Sequence, residues 1–191
     1  MGAALALARR GLGNTWPNPA VGCVLVKDGA VIGRGVTQKG GRPHAEAEAL
    51  AQAGAAARGA TAYMTLEPCA HVSQRGPACT DSLIEARIRR AVIAMVDPDP
   101  RTAGGGISRL ETARVQVEVG CREAEAREIN AGFLRRLATG RPLVTLKLAT
   151  SLDGRIALAN GESKWITGPA ARARGHLLRA QHDAILVGAA T

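Results

Sequence analysis

Three side chains constrain this chain more than any other feature. They are His44 in P-H-A-E (Pro43, His44, Ala45, Glu46), Cys69 in E-P-C (Glu67, Pro68, Cys69), and Cys79. A fold that uses them together must bring the start of one helix and the segments around two later cysteines to a single point. Imidazole and thiolate are ligands that zinc prefers, and three protein ligands leave a fourth position for water, as in catalytic rather than structural sites. A water held there has its pKa lowered from 15.7 to about 7. Glu46, one residue removed from His44 at a helix start, can face that fourth position without ligating, and is read as the group that moves the proton.

Other readings of the same residues stay open at this level. His44 alone could be an ordinary helix-end residue, and a closed structural site could take His71 as its fourth ligand. His71 and Arg75, between the two cysteines, either line a pocket or are solvated loop residues. Cys23, within V-G-C-V-L-V, reads as core packing and Cys121 as a bystander after a strand.

Composition narrows the partners. The chain of 191 residues is 46% hydrophobic but 2% aromatic, so its interior must be built from Ala, Val, Leu and Ile, and base-stacking nucleic-acid platforms are disfavoured. A formal charge of +9 favours an anionic partner, and a phosphorylated small molecule satisfies that as well as a nucleic acid does. The apolar residues 1–7 precede Arg9 and Arg10, the reverse of a signal peptide's order, and no apolar run reaches membrane length. With four cysteines and no export signal, the reading is a reducing compartment, the cytoplasm, with no membrane association.

Periodicity gives alternating strands and helices. A helix over residues 2–10 ends at Gly11, and N-T-W-P-N-P leads into a buried strand over 21–26. Lys27-Asp28-Gly29 signals a hairpin to 31–36. A helix follows over 45–57, a strand over 61–66, a helix over 80–87 and a strand over 91–96. After a Pro/Gly-rich loop over 97–106 come a short helix over 107–113, a strand over 115–119 and one long charged helix over 122–138. Beyond Gly140 and Pro142, strands are expected over 143–149, within 156–166 and over 184–187, with a helix over 169–179 that has Pro in its first turn. The pattern implies an α/β sheet covered on both faces, with domains at 1–140 and 141–191.

The motifs, taken with their neighbours, are specific. P-N-P-A-V-G-C-V from Pro17, P-H-A-E-A-E-A-L from Pro43 and G-A-T-A-Y-M-T-L-E-P-C-A-H from Gly59 resemble the bifunctional riboflavin-biosynthesis deaminase/reductase family. So do I-N-A-G-F-L-R-R from Ile129, L-K-L-A-T-S-L-D-G-R-I-A from Leu146 and G-E-S-K-W-I-T-G from Gly161. The resemblance implies a cytidine-deaminase-like three-layer α/β/α sandwich, followed by the start of a dihydrofolate-reductase-like α/β domain. It implies zinc-dependent deamination of 2,5-diamino-6-(5-phosphoribosylamino)pyrimidin-4(3H)-one, with NADPH-dependent reduction of the ribosyl group in the full-length family. By motif it places zinc on His44, Cys69 and Cys79, the proton shuttle on Glu46, and the pyrimidine against Asn18. In the second domain it places NADP at Ala149, Trp165 and Thr191 and substrate at Ser163 and Arg179, with Lys147 and Asp153 as further candidates.

Two departures qualify the resemblance. Residues 70–78, A-H-V-S-Q-R-G-P-A, lack the family's T-P-P-C ending, so substrate contacts from that loop are open while the ligands stand. The chain also stops at Thr191, early in the family's reductase domain, so deamination is expected without reduction. The exposed sheet expected of a partial second domain favours self-association into a homo-oligomer. Two alternatives predict different features: a nucleoside or tRNA base deaminase would show a short P-C-x-x-C spacing, and a non-catalytic zinc-stabilised binding module a fourth protein ligand.

Overall fold

The computed structural model describes residues 1–72 and 76–189, which divide into two compact units, Met1–Pro142 and Leu143–Thr191. The first unit opens with α1 (Gly2–Gly11), followed by β1 (Gly22–Lys27) and β2 (Ala30–Val36). These strands form an antiparallel hairpin closed by Asp28 and Gly29, both at positive φ, which matches the twist of the flanking strands. Next come α2 (Ala45–Ala53), β3 (Thr61–Met64), α3 (Cys79–Glu85), β4 (Arg90–Ile93), α4 (Gly105–Thr112) and β5 (Gln116–Val119), and then α5 (Glu123–Ile129) and α6 (Ala131–Thr139).

The sheet order is β2-β1-β3-β4-β5. β1 is antiparallel to both neighbours, and β3, β4 and β5 run parallel. Parallel neighbours need crossovers, and α3 and α4 supply them. The result is the α/β layering expected from the alternation of patterns, with a core of aliphatic and small side chains such as Leu5, Leu25, Met64, Leu83 and Ile93.

Glycines set how close the helices come. A Cβ at Gly22 of β1 would lie 2.0 Å from the Ala4 carbonyl oxygen of α1, and one at Gly35 of β2 would lie 1.9 Å from the Ala45 carbonyl oxygen of α2. Gly35 pairs with Cys23, the residue after Gly22, so the two glycines face opposite sides of the sheet and α1 and α2 cover opposite faces. Gly35→Ala is therefore expected to push α2 off the sheet. The expected cost is about 1–3 kcal/mol of overpacking, read as a lower midpoint in denaturant unfolding.

The single helix expected over 122–138 is two. Asn130 sits between α5 and α6, and its side chain leaves the helical path to bind the backbone of Ala20, accepting from its N–H at 2.9 Å and donating to its carbonyl at 3.1 Å. The helix expected to reach residue 57 ends at Ala53, where Gly54 takes positive φ and a 3-10 turn follows.

In the second unit α7 (Pro169–Ala180) forms as expected, with Pro169 in its first turn. The strands expected over 143–149, within 156–166 and over 184–187 do not form among the described residues. A strand exists only through its ladder, and these segments have none, so Val144, Leu146 and Leu186 stand exposed. No helix among the described residues is long and apolar enough to cross a membrane.

Candidate metal centre

The cavity lies where the segments following β3 and β4 leave the C-terminal edge of the parallel strands, the position at which open α/β sheets bind ligands. It has a volume of about 390 Å³, and His44, Glu46, Cys69 and Asn18 are among the residues that line it. Each reaches it through a local feature of the chain. His44 is the N-cap residue of α2, in extended conformation before the helix begins. Glu46 follows in the first turn of that helix and is 3% exposed.

Cys79 is the first residue of α3. Cys69 is fixed against that helix start: the Thr80 hydroxyl donates to the carbonyls of Pro68 at 3.1 Å and Cys69 at 3.0 Å, and the Thr80 N–H donates to the Cys69 carbonyl at 3.2 Å.

The ligating atoms of His44, Cys69 and Cys79 lie within 4.8 Å of one another. His44 Nδ1 is 3.3 Å from Cys79 Sγ and 3.6 Å from Cys69 Sγ. One imidazole nitrogen and two sulfurs converging on one point, with both cysteines buried, is a donor set that fits zinc and leaves one coordination position to a non-protein ligand.

The two sulfurs share one proton. Hydrogen bonds from the Cys79 thiol, His44 and the Cys79 backbone N–H, the last at 3.3 Å, hold the Cys69 thiol far below its ordinary value, down to about 3. Cys79 is pushed up, because its proton is the one shared with Cys69 and because it is buried. Burial pushes Glu46 up, opposed by His44. A carboxyl raised in this way is suited to accept and return a proton.

Asn18 does more than line the cavity. Its side-chain nitrogen donates to the Gly41 carbonyl at 3.0 Å and lies 3.1 Å from His44 Nε2, so it orients the imidazole from the side away from the sulfurs. His71 lines the cavity but does not join the ligand group. Its Nδ1 is 3.4 Å from the Thr102 hydroxyl. Arg75 and Thr191 lie outside the described residues. Cys23 is buried in the core and Cys121 is partly exposed.

Within the second unit, Trp165 is 70% exposed with the Arg172 guanidinium 4.3 Å from its ring, and Arg179 meets His176 at 3.4 Å. Asp153 accepts from the Ser151 hydroxyl at 2.5 Å. Among the described residues no hydrogen bond, ion pair or ring contact joins Ala149, Ser163, Trp165, Arg179 and Lys147 to one another.

Sequence reasoning missed an acidic frame around the cavity. Glu67, 2% exposed, accepts four backbone N–H bonds: from Asp97 at 3.1 Å and Gly104 at 3.0 Å on Oε2, and from Gly106 at 2.9 Å and Ile107 at 3.1 Å on Oε1. One carboxylate thus ties the segment after β4 and the start of α4 to the segment carrying Cys69. Asp97 is raised to about 6 by burial. Asp99 is held at about 2 by the Arg101 guanidinium, whose Nε donates to its two oxygens at 3.0 and 3.1 Å. Glu67 stood in the E-P-C motif, but its partners lie 30 to 40 residues further along and are backbone groups, which carry no residue signature.

Comparison with known proteins agrees with this architecture. Residues 1–95 match the family described as the cytidine and deoxycytidylate deaminase zinc-binding region, and residues 142–191 match the RibD C-terminal domain. The riboflavin biosynthesis protein RibD of Escherichia coli K12 is 54% identical over 191 residues, which are 100% of this chain and 52% of that protein. The structure of Acinetobacter baumannii RibD superposes with a TM-score of 0.82 at 53% identity, covering 94% of this chain and 50% of that one. That of the Thermotoga maritima diaminohydroxyphosphoribosylaminopyrimidine deaminase/5-amino-6-(5-phosphoribosylamino)uracil reductase gives 0.87 at 41% identity, covering 94% and 51%. The chain spans about half the length of the curated relatives it matches. With its full length aligned at this identity, and a zinc-binding deaminase region followed by a RibD C-terminal segment, the chain belongs to the RibD family of riboflavin biosynthesis proteins.

Proposed function

We propose that the first unit of this chain hydrolyses the 2-amino group of 2,5-diamino-6-(5-phosphoribosylamino)pyrimidin-4(3H)-one, giving 5-amino-6-(5-phosphoribosylamino)uracil and ammonia. The observation that carries this reading is the convergence of His44, Cys69 and Cys79 in one cavity with a buried carboxyl, Glu46, that is not part of the ligand group. His44 and the two cysteine sulfurs would hold zinc. When bound, zinc supplies the Lewis acid that makes a water nucleophilic near neutral pH.

Glu46 takes one proton from the water that adds at C2 and delivers it to the adjacent ring nitrogen; it then takes the remaining proton of the added hydroxyl and gives it to the departing amine, so that the C–N bond breaks, ammonia leaves and a carbonyl replaces it. Asn18 keeps the imidazole in place and lines the cavity that receives the pyrimidine. The buried location of Glu46 keeps bulk water from competing for its proton.

We assign deamination to residues 1–142 and the segment 143–191 to the beginning of a reductase domain. Reduction with NADPH is not assigned to these 191 residues. Ala149 and Trp165 are proposed cofactor positions, and Ser163 and Arg179 substrate positions, of a reductase domain that includes more chain than this. The working compartment is the cytoplasm, supported by four free cysteines.

Incubating the purified, zinc-loaded chain with the diaminopyrimidine phosphate is expected to release ammonia, and a zinc chelator is expected to stop it. No ammonia from the loaded chain, or release that a chelator leaves untouched, overturns the reading.

A further inference from the structure

The chain has two Trp, one Tyr and one Phe, and one of the Trp and the Phe meet at a single guanidinium. Arg136 lies 5.0 Å from the centroid of the Trp16 ring and 5.7 Å from that of Phe133. One of its N–H groups donates to the Pro17 carbonyl at 3.0 Å. Trp16 is nonetheless 58% exposed, so its ring is spent on holding Arg136 rather than on filling the core.

Among the described residues, the arginines that line the cavity with His44, Cys69 and Glu46 are Arg42, Arg101 and Arg136. Arg101 is committed to Asp99, which cancels its charge. Arg42 and Arg136 form no ion pair with any carboxylate among the described residues.

A guanidinium carries five N–H donors, and among the described residues Arg136 uses one of them on the protein. Stacking and the bond to Pro17 have already restricted its rotamers, so little freedom is lost when an anion engages the remaining donors. We propose that Arg136, with Arg42 as the second uncompensated cation, forms a subsite of the cavity for a phosphate monoester, the 5-phosphate of a phosphoribosyl substrate. This rests on the deaminase reading above, in which the substrate carries that group. The subsite gives the +9 chain a specific place for anionic recognition beside the reacting centre.

The bond from Arg136 to Pro17 also braces the segment that carries Asn18, and the test must separate bracing from phosphate binding. Ribose 5-phosphate and ribose are titrated calorimetrically into the zinc-loaded wild type, Arg136→Gln and Arg42→Gln, the second variant lying on a different segment from the first. Each substitution is expected to weaken ribose 5-phosphate binding by about tenfold or more, the scale of a charge-assisted hydrogen bond, and to leave ribose unaffected. With the pyrimidine substrate, Arg136→Gln is expected to raise KM by a similar factor and to lower kcat/KM for the dephosphorylated compound by a clearly smaller factor, the part that belongs to bracing.

Equal affinity for ribose 5-phosphate in all three proteins, or equal losses on both pyrimidines, overturns the subsite. Arg136-dependent binding of ribose 5-phosphate by a chain that releases no ammonia leaves the subsite standing and removes the deaminase reading. Ammonia release with ribose 5-phosphate affinity untouched by either substitution does the reverse.

Discussion

Glu46→Gln is expected to retain zinc and to lower kcat for deamination by about 10²- to 10⁴-fold, the usual contribution of a positioned acid–base group. Gln keeps the size and shape of the buried side chain, and Glu46 is not one of the three converging ligands, so the His44, Cys69 and Cys79 geometry has no reason to change. What the amide lacks is a site that can take a proton from water and give it to the ring nitrogen and the amine in turn. The loss should therefore fall on kcat, with KM little altered, because the missing interaction belongs to the transition state rather than to substrate binding. Metal analysis of the purified variant beside its steady-state kinetics checks both parts. Turnover within a few-fold of wild type removes Glu46 from the chemistry, and loss of zinc would place it among the ligands.

Glu67→Ala is expected to have the largest effect on stability. Its carboxylate accepts four backbone N–H groups, from Asp97, Gly104, Gly106 and Ile107. Leaving a buried donor unsatisfied costs about 1–3 kcal/mol, and water entering the space left by the side chain relieves part of that. A net loss of about 3–5 kcal/mol is expected, the range found when a buried charged group loses its partner. For a unit of this size that corresponds to a fall in Tm of roughly 10 °C or more.

Glu67→Gln should recover only part of the loss, because its NH2 group would face two N–H donors where the carboxylate presented an acceptor. Thermal denaturation followed by circular dichroism reads the series. An alanine variant melting within about 2 °C of wild type would show that the segment after β4 is held by something else. Because that segment carries Asp97 and Asp99 to the cavity, the destabilised variant should also lose substrate affinity.

How far the sequence could be read depended on what kind of interaction positioned each residue. His44, Cys69 and Cys79 were legible because a zinc site needs particular atoms, and only a few residue types supply them. The hairpin at Asp28 and Gly29, the strands of the first unit and the Pro169 helix start were legible because local chemistry decides them.

The break at Asn130 was not. Asn130 and Gly132 are only weak stop signals within a charged, helix-forming stretch, and the Asn130 side chain is held by two hydrogen bonds to Ala20, 110 residues away. The Glu67 frame and the Arg136 stack were hidden for the same reason: their partners are backbone groups or aromatic faces distant in sequence. The strands expected beyond Pro142 fail in the opposite direction. Their apolar patterning is present, but a pattern becomes a strand only beside another strand, and the described residues of that unit supply none.

Whether the His44, Cys69, Cys79 and Glu46 site deaminates within this chain is decided by a zinc add-back titration. Metal-free chain is given increasing zinc while bound metal and the rate of ammonia release from the diaminopyrimidine phosphate are measured on the same samples. Activity is expected to rise in proportion to bound zinc and to level off at about one zinc per chain, the stoichiometry of a single three-ligand site. A chain that takes up one zinc and releases no ammonia, or that is fully active before zinc is added, contradicts that expectation.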